Sequence, residues 1–388
     1  MSETADAVVI GGGINGVSAA YELAKHGLKN VVLLEKGHIA SGPIGLSSGI
    51  VRRHETLETL SQMARDSVAV FHNFKDLIGG DAGFVRSGVV FVAPAEGAEV
   101  LRETVAMHRR IGIDERLLTP AEVKALEPHA AVEDIAAAAY EPDGGYADPT
   151  STAGSYAAAA EREGVTIRRD TKVTGLRVKA GRIRGVETAQ GPISTGTVVN
   201  VAGPWGARIA SFAGVEIPIS PRRHPVLVLD RPPAWRGPTP VWGDLVRGWY
   251  FKPEGPHGFA IGCLAEIEGD RDVDFEGYAV RIQHEETLRY TEPVLHRFPV
   301  MADATATGSW AGLYDVTPDG LPVIAEIPEV KGFFCAVGFS RHGFKTAPAV
   351  GVILAELVTK GACQTYDISI FHPRRFRDGS HTRSRYPS

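Results

Sequence analysis

The sequence predicts a mixed α/β fold, α+β overall, in which a parallel-sheet domain sits beside a mixed or antiparallel-sheet domain. Three observations carry this reading. The chain has 388 residues, more than one ordinary core holds, so two domains sharing an interface are expected. Its beginning runs strand, glycine turn, helix, strand. Its later part mixes short β-branched runs with a long helical segment, and no period of about 20 to 50 residues recurs, which argues against a solenoid or propeller.

The opening elements are the most explicit. Ala5 to Ile10 (ADAVVI) is a short β-branched run, Gly11-Gly12-Gly13 a tight turn, and Ile14 to His26 has helical spacing closed by Gly27. Gly11, Gly13 and Gly16 form G-x-G-x-x-G, where the first glycine allows the turn, the second lets backbone approach a pyrophosphate, and the third lets the helix pack on its strand. Val31 to Leu34 completes the β-α-β unit and ends in Glu35, whose carboxylate is placed to accept hydrogen bonds from a ribose diol. Unpaired N–H groups and the positive dipole end of the helix supply the anion site. Gly11, Gly13, Ile14, Asn15, Gly16, Glu35 and Lys36 are therefore the candidate contacts to an adenine dinucleotide of a Rossmann-type domain. This fingerprint does not by itself separate FAD from NAD.

Further elements follow in order. Ala40 to Gly49 (ASGPIGLSSG) is too rich in glycine and serine to pack as core and is expected to wrap a ligand through Ser41, Gly42, Leu46, Ser47, Ser48 and Gly49. Strands are expected at Gly88 to Ala93, Pro225 to Leu229, Gly248 to Phe251, Gly258 to Ile261 and Phe333 to Val337. An alanine-rich helix covers Gly154 to Gly164, followed by a strand at Val165 to Ile167 and a hairpin of Val173 to Val178 with Ile183 to Thr188. Ala347 to Lys360 reads as a helix with Thr346 as N-cap and Gly361 beyond its end.

Composition removes several function classes. A hydrophobic fraction of 44% and a net charge of −5 fit a globular chain without the broad basic field that nucleic acid requires. The three cysteines, Cys263, Cys335 and Cys363, fit neither a disulfide framework nor a zinc site, so no metal and a reducing cytoplasm are expected. Met1 to Asp6 carries Glu3 and Asp6 in place of a basic leader, and no run approaches the roughly 18 apolar residues of a membrane span. The basic tail His372 to Ser388 reads as a solvated, frayed terminus.

With the fingerprint and Glu35, the segments Ala40 to Arg52 (ASGPIGLSSGIVR), Asn200 to Gly206 (NVAGPWG) and Thr317 to Lys345 make the chain resemble the FAD-dependent sarcosine oxidase and D-amino acid oxidase superfamily, most closely its sarcosine oxidase branch. The resemblance extends to about Phe371. It implies FAD rather than NAD, held extended with the isoalloxazine ring at the domain interface. It also implies an FAD-binding domain of residues 1–82, 141–214 and 311–371, a substrate domain of 83–140 and 215–310, and a tail at 372–388. Further cofactor contacts are then expected at Val173, Ala202, Gly203, Trp205 and Gly312, and along Gly338, Phe339, Ser340, Arg341, His342, Gly343, Phe344 and Lys345.

The resemblance also assigns roles. Arg52 matches the arginine that relatives place on the substrate carboxylate, which a guanidinium fork grips through two parallel bonds; of Arg52 and its neighbour Arg53 only one can serve. Lys345 matches the second carboxylate ligand, Tyr250 a tyrosine facing the substrate with Trp249 on the opposite face, and His342 lies in the loop beside the ring. The implied reaction is oxidation of the C–N bond of a small amine carrying a carboxylate, such as sarcosine, an imino acid or a D-amino acid. Hydride passes to flavin N5 and leaves an imine that water hydrolyses. The alternatives are a 2-hydroxy-acid oxidoreductase, or the flavin subunit of a multi-subunit amine dehydrogenase. Three positions depart from the pattern. Gly312 stands where covalent relatives have cysteine, so noncovalent FAD is expected. Ala260 stands where a lysine assists reaction with oxygen, leaving oxygen or another acceptor open and Lys252 as a substitute. Arg341 stands where glycine is common.

Overall fold

The runs AVVI at Ala7–Ile10 and VVLL at Val31–Leu34 are buried at every position, as strands covered on both faces must be. In the computed structural model, which describes residues 3–255, 257–264, 273–383 and 385, they pair in parallel through the crossover helix Ile14–Lys25. They form the centre of a six-stranded sheet in the order Val323–Glu326, Phe333–Val337, Val198–Asn200, Ala7–Ile10, Val31–Leu34, Thr166–Arg168. All neighbours are parallel except the edge strand Val323–Glu326. The sheet thus draws on four separated stretches of chain. Its strand order reverses beside Ala7–Ile10, which opens a crevice at the carboxyl ends of the strands.

Helix Ala347–Lys360 packs on Ile14–Lys25 so closely that a Cβ at Gly351 would run into Ser18, whose hydroxyl donates to Ala347 O at 2.8 Å. The alanine-rich helix Pro149–Arg162 covers the other flank of Ile14–Lys25.

The second large sheet has eight strands, ordered Ala306–Val316, Ser220–Asp230, Gly258–Cys263, Trp249–Glu254, Val241–Asp244, Val89–Ala93, Ala137–Glu141, Arg116–Leu118. Val241–Asp244 and Val89–Ala93 are parallel and the other pairs antiparallel. One face carries an aromatic core of Trp235, Trp242, Trp249, Phe251, Phe259 and Phe298 beneath helix His284–Arg297; the other face presents Tyr250 and Lys252, the alternate residues of their strand. Among the described residues no helix is long and apolar enough to cross a membrane.

The tail is the main correction to the sequence reading. Arg377 to His381 are exposed, as composition suggested for His372 to Ser388, yet Arg375 is only 4% exposed and forks onto the buried Asp319, Nε to Oδ2 at 2.6 Å and Nη2 to Oδ1 at 3.2 Å. A buried carboxylate needs such a partner, and nothing local in the tail names one 56 residues away. Ser384 and Tyr386 to Ser388 lie outside the described residues, as do Met1 and Ser2. Thr346 does occupy the N-cap position, but its hydroxyl turns back to His342 O at 2.8 Å and caps nothing.

Candidate active site

The crevice opens into a cavity of about 290 Å³ that runs from the strand ends Ile10, Leu34 and Val201 to Arg52, Tyr250 and Lys345. At its first end, Gly11 has φ +117°, and a Cβ there would come within 2.7 Å of Val201 O. A Cβ at Gly16 would overlap Gly11 O, so helix and strand could not meet. Gly13 is different: no atom lies within 4 Å of where its Cβ would be, and no side chain caps the helix it begins. Free N–H groups therefore face open space. Glu35 is held in place by Gly12 N on Oε2 at 2.6 Å and Gly37 N on Oε1 at 2.8 Å. Asn15 Oδ1 is buried without a partner among the described residues. Open space over a helix start, a fixed carboxylate at the next strand end and an orphaned amide oxygen fit an adenine dinucleotide.

Most expected cofactor contacts line this cavity: Gly11, Gly13, Ile14, Asn15, Glu35, Lys36, Gly42, Ser47, Ser48, Gly49, Val173, Ala202, Gly203, Trp205, Phe339, Arg341, Gly343, Phe344 and Lys345. Lys36 Nζ sits 3.3 Å from the centre of the Trp205 ring. Seven lie behind the wall. Gly16 packs the helix on its strand, and Ser41 turns toward Gly37. Leu46 O accepts from Trp310 Nε1 at 2.8 Å, and Leu46 lies against Gly312. Gly338, at φ +75°, faces Thr317; Ser340 Oγ accepts from Thr317 N at 3.2 Å; His342 is buried among charged groups.

The other end is organised around Glu55. Its Oε1 lies 2.9 Å from Arg52 Nη1, 2.9 Å from Lys345 Nζ and 3.2 Å from His342 Nδ1. Burial alone would raise the Glu55 pKa, but Arg52, then Lys345 and His342, hold it well below the usual carboxylate range. Burial, then the Arg52 charge, pull the Lys345 ammonium down to about 8 even with Glu55 beside it. Burial likewise lowers His342.

The choice between adjacent arginines is made by distant partners. Arg53 points inward onto the buried Glu141, Nε to Oε1 at 2.7 Å and backbone N to Oε2 at 2.8 Å, whereas Arg52 lines the cavity. Beneath them, His54 Nδ1 and His108 Nδ1 meet the two oxygens of buried Glu115 at 2.6 and 2.5 Å. These three residues bring ligand atoms within 4.8 Å of one another, but both imidazoles spend Nδ1 on the carboxylate. His108 Nε2 reaches Glu55 O at 3.0 Å, so the cluster braces the backbone that carries Glu55.

Tyr250 is buried on the cavity wall, its hydroxyl 2.5 Å from Ser48 Oγ and 2.9 Å from His224 Nε2. Burial pushes its pKa well up. Burial, then Arg341, push His224 down to about 3, so this imidazole is neutral. Lys252, the suggested oxygen-side lysine, does not line the cavity; its ammonium is taken by Glu254 Oε2 at 2.5 Å. Sequence reasoning missed Glu55, His224, Tyr314 and Asp315. None of the four carries a local signal that names its partners far away in the chain.

Residues 6–357 match the family model described as FAD dependent oxidoreductase. The chain is 29% identical to mitochondrial sarcosine dehydrogenase of Homo sapiens over 98% of its own length and 44% of that protein. It is 28% identical to sarcosine oxidase subunit beta of Rhodobacter capsulatus, over 96% of this chain and 89% of the subunit. It spans less than half of the sarcosine dehydrogenases it matches. Among solved structures it matches L-proline dehydrogenase from P. horikoshii with a TM-score of 0.89 and 30% identity, covering 98% and 99% of the two chains. Glycine oxidase from Geobacillus kaustophilus gives 0.82 and 26%, covering 96% and 99%.

Proposed function

Because the chain belongs to the FAD dependent oxidoreductase family, we propose that it oxidises the C–N bond of a small amine carrying a carboxylate: an N-alkyl amino acid, an imino acid or a D-amino acid. Bound FAD supplies the acceptor for the hydride leaving the carbon next to nitrogen. Gly11, Gly13, Asn15 and Glu35 would hold the dinucleotide half of the cofactor, and Gly312 offers no atom for a covalent link. Arg52 and Lys345 grip the substrate carboxylate and fix the amine-bearing carbon. His342, 3.3 Å from Lys345 Nζ, keeps that ammonium in place. Tyr250, tied to Ser48 and His224, forms the facing wall. The imine released is hydrolysed by water.

The observation that carries this reading is the convergence of two cations on one Glu55 oxygen at 2.9 Å each, at the opposite end of the cavity from the nucleotide fingerprint. In this reading residues 1–82, 141–214 and 311–371 hold the cofactor, and 83–140 with 215–310 shape the substrate side. Three unbonded cysteines accord with a cytoplasmic setting. A second reading, a flavin subunit that passes electrons to a partner, is favoured by the similarity over 89% of a sarcosine oxidase beta subunit and by Ala260 in place of an oxygen-side lysine.

The test is turnover of matched pairs, N-methylglycine against glycolate and proline against lactate, with oxygen and with an artificial dye. Consumption of the amines is the expected result. Consumption of the hydroxy acids alone replaces the reading with 2-hydroxy-acid oxidation, and dye without oxygen favours the electron-transferring subunit.

A further inference from the structure

Arg341 is out of place by every local criterion. Its φ is +84° and that of Ser340 is +46°, the left-handed region in which a side chain is strained and glycine is at ease. The loop does not need an arginine to take this shape, so the reason for one must lie in its side chain. That side chain enters the cavity alongside Arg52, Tyr250, Tyr314 and Leu264. Its Nη1 donates to Leu264 O, one of five N–H donors in the group.

Other arginines packed into the protein end on carboxylates: Arg53 on Glu141 at 2.7 Å, Arg297 on Asp244 at 2.8 Å, Arg375 on Asp319 at 2.6 Å. Among the described residues no carboxylate pairs with Arg341. Asp315, on the same cavity, accepts on Oδ2 from Gly338 N at 2.7 Å, and Glu55 is already shared by Arg52, Lys345 and His342. Three cations thus converge on a cavity where, among the described residues, only Glu55 pairs with any of them, and a cation held away from water without an anion is disfavoured. Burial lowers the pKa of both Arg341 and Lys345. The two anchors also differ: Arg52 and Lys345 hang on Glu55, Arg341 on Leu264 just past strand Gly258–Cys263.

We propose that Arg341 is a specificity-determining residue that binds a second carboxylate, so that the substrate is a dicarboxylic amine with one carboxylate on the Arg52–Lys345 pair and the other on the Arg341 guanidinium. This rests on the amine-oxidation reading above and narrows its substrate class.

The experiment compares N-methylglycine with iminodiacetate, which keeps the same N–CH2–carboxylate and exchanges the methyl group for a carboxymethyl. N-methylaspartate serves as a second diacid. Anaerobic flavin reduction is measured in the FAD-loaded wild type, Arg341→Gly and Arg341→Lys; glycine suits the backbone at this position, so the first variant should fold. Expected are a wild-type preference for a diacid, a fall of about 30-fold or more in the diacid-to-monoacid ratio of the reduction rate constant over Kd in R341G, carried mainly by Kd, and partial recovery in R341K. A wild type that prefers the monoacid, or a ratio that R341G leaves unchanged, overturns the proposal while amine oxidation stands. Equal losses on both substrates assign the arginine to the cofactor and overturn it too. Failure of every amine to reduce the flavin removes the underlying reading, and this proposal with it.

Discussion

Replacing Lys345 by methionine keeps the volume of a buried chain and removes one charge, which isolates what that charge does. The ammonium sits 2.9 Å from Glu55 Oε1 and is 3% exposed. A substrate carboxylate would lose one of its two cations, and truncating one partner of a buried, hydrogen-bonded charge pair costs about 2 to 5 kcal/mol, or roughly 30- to 4,000-fold in affinity. Arg52 remains, so the lower half of that range is expected. Glu55 keeps Arg52 and His342, so the fold should lose only about 1 to 3 kcal/mol. The assay is anaerobic rapid mixing with an N-methyl amino acid and with the same amine lacking the carboxylate, alongside the flavin-to-protein absorbance ratio. The account requires the Kd of the amino acid to rise while the carboxylate-free amine and the FAD content hardly change. Equal effects on both amines would refute a carboxylate clamp at this position.

Four other outcomes are expected. Since Lys345 is charged below pH about 8 and neutral above it, and only the ammonium attracts a carboxylate, kcat/KM for a carboxylate substrate should fall as pH rises through that value; K345M should lack this limb. Arg375→Ala leaves Asp319 buried without its guanidinium and should cost about 3 to 5 kcal/mol in denaturant unfolding, whereas a loss near zero would mean that the tail is not docked in solution. Gly13→Val projects into open space and should abolish FAD uptake with little change in the thermal stability of the flavin-free protein, while Gly16→Val, which collides with Gly11 O, should fail to fold. Acid precipitation should leave the flavin in the supernatant, since Gly312 offers no attachment; flavin that stays with the pellet would contradict this.

What the sequence disclosed was what depends on neighbours in the chain. The β-α-β unit from Ala7 to Leu34 is continuous, so turn, helix and Glu35 could be read directly. Arg52 and Lys345 could be nominated by resemblance, but Glu55, which holds both, joins residues some 290 positions apart, and nothing at Glu55 alone distinguishes it from a surface carboxylate. The contest between Arg52 and Arg53 is decided by Glu141, 88 residues on. Arg375 reads as part of a basic tail until Asp319 is brought beneath it. Lys252 was nominated as a substitute for the lysine missing at Ala260, but its neighbour Glu254 takes its charge. Burial and long-range charge pairing, not local propensity, decide such positions.

The most direct measurement is a titration of the yellow holoprotein, without oxygen, by N-methylated, cyclic and D-amino acids in turn, following absorbance in the flavin bands. Stoichiometric bleaching by at least one carboxylate-bearing amine is the predicted result. A spectrum that stays intact across the whole amine series, or a folded sample that is colourless and takes up no FAD, would contradict the account.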